Sequence, residues 1–178
     1  MPSNDTATIR RLVPGDAAAL CRFYNGLSAR SKRLFHPLGD ETTEERCRAV
    51  AEENDPTRDT KLDLIAASGD GIVGWGFLWG RDGAPGEATF GLAVADDVQG
   101  RGLGRRLMAS VLEGAACRGL ERITLTVVQD NAIAQRLYES LGFVRTGDFV
   151  GQDGLPYFSM ASDLPHAGSA GSRGGPGQ

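Results

Sequence analysis

At 178 residues the chain is long enough for one well-buried core and short for two, so one domain is expected. Its 40% hydrophobic and 24% charged residues suit a folded soluble protein, and a net charge of −4 argues against a nucleic-acid surface, whose affinity would come from cations meeting phosphates. The longest apolar run, residues 72–79, is broken by glycines and too short to span a bilayer, and the start MPSNDTAT has no secretory pattern, so a cytoplasmic protein with no membrane partner is expected.

Residues 8–13 read as a first strand. Pro14, Gly15 and Asp16 then turn the chain, with Asp16 placed to cap a helix that runs through Leu27. Residues 28–40 read as a polar connection. Thr42, with Glu45 three residues later, has the capping-box pattern and opens a second helix toward Glu53, which residues 54–60 end. Residues 62–67 and 72–80, joined by SGDG, read as a β-hairpin, and RDGAPG turns into a third antiparallel strand over 87–95. On the middle strand, two-residue alternation puts Val73, Trp75, Phe77 and Trp79 on one face and Gly74, Gly76 and Gly80 on the other. An aromatic core face is favoured there over a substrate pocket.

Residues 103–118 carry an apolar stripe at helical spacing, with Gly119 as terminator. Residues 122–128 follow as a strand, Asp130 or Asn131 caps a helix over 132–141, Gly142 ends it and Phe143 starts another strand, with a last strand over 157–163. Residues 165–178 lack apolar periodicity and are expected to be a disordered tail, leaving one domain over 1–164. Cys21, Cys47 and Cys117 are odd in number and widely spaced, as reduced packing cysteines are, and with only His36 and His166 besides no metal site is expected.

The stretch AVADDVQGRGLGRRL carries the chemistry, because it joins a strand to the start of the long helix, where backbone N–H groups lack intrahelical partners and the dipole favours an anion. Gly100, Gly102 and Gly104 remove the β-carbons that would hold a diphosphate off the backbone, at roughly 1 kcal/mol for each glycine held helical. Arg101, Arg105 and Arg106 oppose the helix dipole unless an anion sits among them. A dinucleotide fingerprint is excluded because the third glycine comes one residue early, and a Walker loop because no GK is followed by Ser or Thr. The simpler alternative is a glycine-rich loop with solvated arginines.

These residues resemble the GCN5-related N-acetyltransferases, the GNAT superfamily. QGRGLG matches that family's Q/R-x-x-G-x-G/A signature, preceded by Val94 on its strand, and VVQDNAIAQRLYESLGF matches its late strand, asparagine and LYxxxGF helix. With the IRRLVPGDAAAL opening, the likeness covers residues 8–163. It implies a mixed α/β (α+β) fold: a central, mostly antiparallel twisted sheet of about six to seven strands with strands 4 and 5 splayed, flanked by about four helices.

The resemblance further implies acetyl-CoA as co-substrate and transfer of its acetyl group to a primary amine by direct attack. The pantetheine arm would pair with main chain near Leu92, Ala93 and Val94, and Gln99, Gly100, Arg101, Gly102, Leu103, Gly104 and Arg105 would hold the diphosphate. Asn131 would hydrogen-bond the arm, a role that competes with plain helix capping. Spacing alone makes Tyr138 a core aromatic, since it shares a helical face with Ala134, Leu137 and Leu141; only the resemblance sets its phenol beside the thioester sulfur as a proton donor. Where many relatives carry a glutamate, five residues before Val94, this chain has Thr89. Glu87, on the same strand face, is the candidate base, with a solvated strand end as the plainer alternative.

In this family the region 16–54 shapes the acceptor pocket, and FYNGLSARSKRLF is similar to a stretch of bacterial protein-lysine acetyltransferases, while small-molecule amines remain equally open. Family habit implies a homodimer. The competing classes are an acyl-CoA-binding sensor without turnover and a nucleotide-binding protein without acyl chemistry.

Overall fold

A computed structural model describes residues 7–54, 61–69 and 71–164, so the expected tail and the end of the second helix's exit loop lie outside the described residues. In chain order the elements are β1 (Thr8–Arg11), α1 (Ala17–Gly26), α2 (Ala29–Leu34), α3 (Glu44–Glu53), β2 (Lys61–Ser68), β3 (Gly71–Arg81), β4 (Ala84–Val94), α4 (Leu103–Cys117), β5 (Arg122–Val128), α5 (Ala132–Ser140), β6 (Val144–Val150) and β7 (Pro156–Asp163). One seven-stranded sheet has the order β1-β2-β3-β4-β5-β7-β6. Every neighbouring pair is antiparallel except β4 and β5, which are joined through α4 as parallel strands must be by a crossover.

The parallel pair is the feature that shapes the molecule. β4 and β5 pair only at Glu87↔Arg122, Ala88↔Ile123 and Thr89↔Thr124. Beyond that point β4 runs on to Val94 along β3, and β5 runs on to Val128 along β7, without pairing each other. The sheet is closed at one end of this seam and open at the other.

Two apolar layers hold the sheet. On one face Leu20, Phe23 and Tyr24 of α1 and Cys47 and Val50 of α3 bury against Ile65, Trp75 and Phe77. On the other, Leu107, Met108 and Val111 of α4 and Tyr138 of α5 pack on Leu78, Phe90, Ile123 and Leu125. Gly76 lets α4 lie close to β3, because a β-carbon there would stand 3.2 Å from Leu107 and Val111.

Four local expectations are corrected. Residues 28–40 are not wholly a connection, since α2 lies within them; it buries no residue and so carries no apolar period to read. Asp16 does not cap α1: its carboxylate turns back to accept from Val13 N at 3.0 Å and from Arg10 at 2.7 and 2.8 Å, an ion pair that holds it below the usual carboxylate range. Thr43, not Thr42, caps α3, accepting from Arg46 N at 3.2 Å, because the backbone of Thr42 is tied to α1 by the Asn25 side chain, whose Nδ2 donates to Thr42 O and whose Oδ1 accepts from Thr42 N. Val73 does not share the aromatic face. Pairing steps from Ala66↔Gly74 to Ala67↔Ile72 and skips it, so Ile72 joins the tryptophan layer while Val73 packs near Ala66, Val98 and Leu103.

The buried acid Asp63 had no sequence signal. It accepts from the indole nitrogens of Trp75 at 2.9 Å and Trp79 at 3.3 Å, and Asn54 bonds its backbone on both sides. Burial pushes its carboxyl up to about 6.

Candidate active site

The long helix begins without a side-chain cap. Gly102 occupies the cap position at φ +83°, a left-handed conformation that side chains rarely adopt, and the first turn of α4 carries no acid. The first intrahelical bond runs from Arg106 N to Gly102 O, so the N–H groups of Gly102, Leu103, Gly104 and Arg105 have no intrahelical acceptor. Leu103, 1% exposed, anchors this start against Val98 and Ala66.

Where β4 and β5 part, a cleft of about 540 Å³ opens onto that helix start. Leu92, Ala93 and Val94 of the splayed end of β4 line one side, and Gln99, Gly100, Gly102, Leu103, Gly104 and Arg105 form its head. Asn131 and Tyr138 line it from α5, and Arg30, Ser31, Leu34 and Phe35 close it from α2 and its end.

Several side chains brace the cleft rather than face it. Gln99 Nε2 donates to Val94 O at 2.9 Å and to Ser31 Oγ at 3.3 Å, so this residue offers its backbone while its amide ties the loop. Arg101 folds back to Asp97 O at 3.0 Å and does not line the cleft. Arg105 donates to Ser140 Oγ at 2.8 Å beside the helix start, and Arg106 reaches Ala7 O on the far side. Asn131 caps α5, its Oδ1 accepting from Ala134 N at 3.2 Å; this bond leaves its Nδ2 unused.

Tyr138 unites the two readings of its position. Its ring is buried at 8% exposure, edge-on to Phe90 and tilted against Phe143, and its hydroxyl has no hydrogen-bond partner among the described residues although the side chain lines the cleft. Burial raises its phenol to about 12, so it is a neutral donor at every physiological pH.

Glu87 is not brought to this cleft. It pairs with Arg81 at 3.1 Å and sits opposite Arg122 at the closed end of the seam, five residues and about 17 Å along the strand from Leu92. Thr89, between Trp79 and Thr124, is the last paired position.

A second cavity, of about 970 Å³, adjoins the first. Ala29, Lys32, Arg33 and His36 of α2 and its exit form one wall, Asp40 and Glu41 another, and Phe149, Asp153 and Tyr157 of the β6–β7 hairpin a third. Phe149 and Tyr157 stack at 5.3 Å, and the Tyr157 hydroxyl donates to Asp153 at 2.7 Å, which lowers that carboxyl. Thr126, on the splayed part of β5, lines both cavities.

With this geometry in hand, comparison with known proteins is decisive at the family level. The model of the acetyltransferase (GNAT) family matches residues 27–143. The chain belongs to that family. That family is one of acetyltransferases, which use acetyl-CoA. A mycothiol acetyltransferase of Cellulomonas flavigena is 31% identical over 170 residues, 88% of this chain and 46% of that protein. A [ribosomal protein bS18]-alanine N-acetyltransferase of Salmonella typhimurium is 48% identical over 58 residues, 32% of this chain and 39% of that protein. The chain thus spans less than half the length of these curated relatives.

Among solved structures, a GNAT-family acetyltransferase from Streptococcus pneumoniae has a TM-score of 0.79 at 24% identity, covering 89% of this chain and 99% of that one. The structure of yncA from Salmonella typhimurium with its cofactor acetyl-CoA has a TM-score of 0.74 at 23% identity, covering 91% and 96%. At these identities the likeness establishes the fold.

The residues of this GNAT chain fit such a ligand. A diphosphate needs several unpaired donors close to open backbone, and the start of α4 has four such N–H groups with no side chain across them. Among the described residues, and apart from the immediate chain neighbours, no heavy atom lies within 4 Å of the space a β-carbon would take at Gly100 or Gly102. An extended arm needs free strand edges, which the unpaired halves of β4 and β5 supply. Sequence reasoning missed the contribution of Arg30, Ser31, Leu34 and Phe35, whose short helix shows no apolar period, and of Asp96 and Thr126. A signal for α2 did exist, since Ser28 and Ser31 have the spacing of a serine cap and its N3 position, but it marks the helix start and not its partner Asp96.

Proposed function

We propose that this chain is a GNAT N-acetyltransferase that moves the acetyl group of acetyl-CoA onto a primary amine by direct attack in a ternary complex. The observation that carries the reading is the opening of the β4–β5 seam beyond Thr89 and Thr124, with donor-rich α4 at its head and the unpartnered Tyr138 hydroxyl at its side.

Acetyl-CoA supplies the acetyl group as an activated thioester. In the transfer, the amine lone pair forms the new C–N bond, the C–S bond breaks, and the proton the amine gives up ends on sulfur. The amides of Gly102, Leu103, Gly104 and Arg105 bind the diphosphate, each charge-assisted bond contributing about 1.5 to 3 kcal/mol. Main chain of Leu92, Ala93 and Val94 and the free Nδ2 of Asn131 hold the arm. With its phenol at about 12, Tyr138 lies well above a thiol of about 8.5, so full proton transfer to sulfur is uphill by about 5 kcal/mol. Its role is to donate a hydrogen bond to the developing thiolate, and the amine provides the proton.

The second cavity receives the acceptor, and Asp40, Glu41 and Asp153 suit a ligand that arrives as an ammonium ion. Exposing the lone pair of a lysine amine near 10.4 costs about 5 kcal/mol at pH 7, whereas an α-amine near 7.8 costs about 1 kcal/mol. With Glu87 held by Arg81 outside the cleft, an amine of the second kind is the acceptor this site serves with least help. The same departure favours one alternative, an acyl-CoA sensor that binds without turning over.

A thiol-release assay with acetyl-CoA over α-amino compounds, N-terminal peptides, lysine peptides and small diamines tests this. Release of free CoA with an α-amine is expected. Tight acetyl-CoA binding with no release on any acceptor would establish the sensor instead.

A further inference from the structure

We infer that Asp96 is a positioning residue that holds α2 as the wall common to both cavities, so that filling the acetyl-CoA cleft sets the shape of the acceptor cavity. The inference rests on the acetyl-CoA reading above and concerns how its two sites communicate.

Helix α2 is six residues long and buries none of them; core packing of Leu27 and Phe35 fixes where its two ends lie, but no buried face of its own sets how it is held between them. Its two sides serve different cavities: Arg30, Ser31 and Leu34 face the acetyl-CoA cleft, and Ala29, Lys32 and Arg33 face the acceptor cavity. Its start is held chiefly by one carboxylate, beside the Ser28 cap and the longer Gln99 bond to Ser31. Asp96 Oδ2 accepts from Ser28 N at 2.9 Å, and Oδ1 accepts from Ser28 Oγ at 2.8 Å and from Ser31 Oγ at 2.7 Å. At the far end Arg33 reaches Asp130 in an exposed ion pair, a contact worth little by itself.

Asp96 also opens the loop that delivers the chain to α4. It begins the short helical turn Asp96–Val98, and Gln99, next along, ties that loop to Ser31 and to Val94 of β4. Burial pushes the Asp96 carboxyl up, but the Ser28 and Ser31 donors outweigh it and hold the group below the usual carboxylate range, so it stays ionised and its bonds stay charge-assisted. When the α4 amides take a diphosphate, the loop over 96–104 loses freedom, and the carboxylate passes that constraint to α2. By linkage, an ordered α2 favours acetyl-CoA in the same measure.

Hydrogen exchange of the full chain, with and without saturating acetyl-CoA, tests this peptide by peptide. In the native sequence, acetyl-CoA is expected to slow exchange over 99–106 and over 29–35, each by about tenfold or more. In Asp96→Ala the slowing over 99–106 persists, while 29–35 exchanges about tenfold faster than in the native chain and no longer responds to acetyl-CoA. The double variant Ser28→Ala/Ser31→Ala removes the two hydroxyl bonds to Asp96 from the α2 side, together with the Ser28 cap on Ser31 N and the Gln99 bond to Ser31, and leaves only the Ser28 N bond; it is expected to give the same pattern, and decides the matter if Asp96→Ala does not fold. Equal slowing of 29–35 in native and variant chains would overturn the inference, as would a native α2 indifferent to acetyl-CoA while 99–106 is slowed. Loss of the 99–106 response in the native chain would instead sink the acetyl-CoA reading, and this inference with it.

Discussion

Phe90 and Tyr138 meet edge-on, with ring centroids 6.1 Å apart and planes at 85°, so a residue of the splayed half of β4 fixes the ring of a tyrosine that lines the cleft. The contact separates packing from chemistry. Tyr138→Phe keeps the ring and its neighbours and is expected to change stability by less than about 1 kcal/mol, since the lost hydroxyl has no partner to leave unsatisfied. Turnover should fall by about a hundredfold with the acetyl-CoA Michaelis constant little changed. Steady-state kinetics beside a thermal melt checks both, and undiminished turnover would return Tyr138 to the core alone.

Gly102 and Gly104 lie two residues apart and are expected to respond with opposite signs. Gly102→Ala forces a side chain to φ +83° and should cost about 1 to 2 kcal/mol with no steric clash involved. Gly104 is helical, and a β-carbon there would meet Leu92 at an ordinary 3.6 Å, so Gly104→Ala should gain about 1 kcal/mol. Gly102→Val should in addition crowd the diphosphate amides and raise the acetyl-CoA Michaelis constant about tenfold, the loss of one such hydrogen bond. Denaturant melts give the first two signs, and kinetics the third.

Asp63 makes stability depend on pH in an unusual direction. Its carboxyl goes from an ordinary 3.8 to about 6 in the folded chain, so between those values the folded state binds a proton that the unfolded state has released. The stabilisation is fully present below about 4 and is lost as pH rises through about 6, at most about 3 kcal/mol. Asp63→Asn keeps Oδ1 for the Trp75 and Trp79 indoles, loses only the longer Trp79 contact to Oδ2, and carries no charge. It should be more stable than the native protein at pH 7 and lose that advantage by pH 4.5. Urea melts at the two pH values decide it, and a constant difference would show that the carboxylate bears no burial penalty.

Glu87→Gln removes the partner of Arg81 at the closed end of the seam, far from the cleft. An exposed pair of this kind is worth less than about 1 kcal/mol, and turnover is expected to stay within about twofold of native at every pH. A tenfold fall below the amine's pKa that fades where the amine is already neutral would reinstate Glu87 as the base.

The sequence was most informative where physics is local and repetitive. The apolar stripe of α4 and the alternating core positions of β5 placed those elements within a residue, and the glycines at 100, 102 and 104 announced an open backbone at a helix start. Legibility failed where a short element owes its position to a distant side chain. Nothing around Ser28 reveals that Asp96, 68 residues later, will hold it, and nothing in the β2–β3 pattern announces the skipped Val73. At the site, the cleft's backbone donors were readable while the behaviour of long side chains was not. Gln99 and Arg101 turn inward to brace the loop because each finds a carbonyl within reach, a choice that depends on three-dimensional neighbours.

Thr126, which lines both cavities, gives the molecule two doors to one room. On the proposed two-substrate reading each reactant would have its own threshold, so neither would wait in the corridor for the other to leave. Spent CoA would then depart while the modified amine is still in place, and an inhibitor shaped like the acceptor should leave the apparent grip on CoA undiminished.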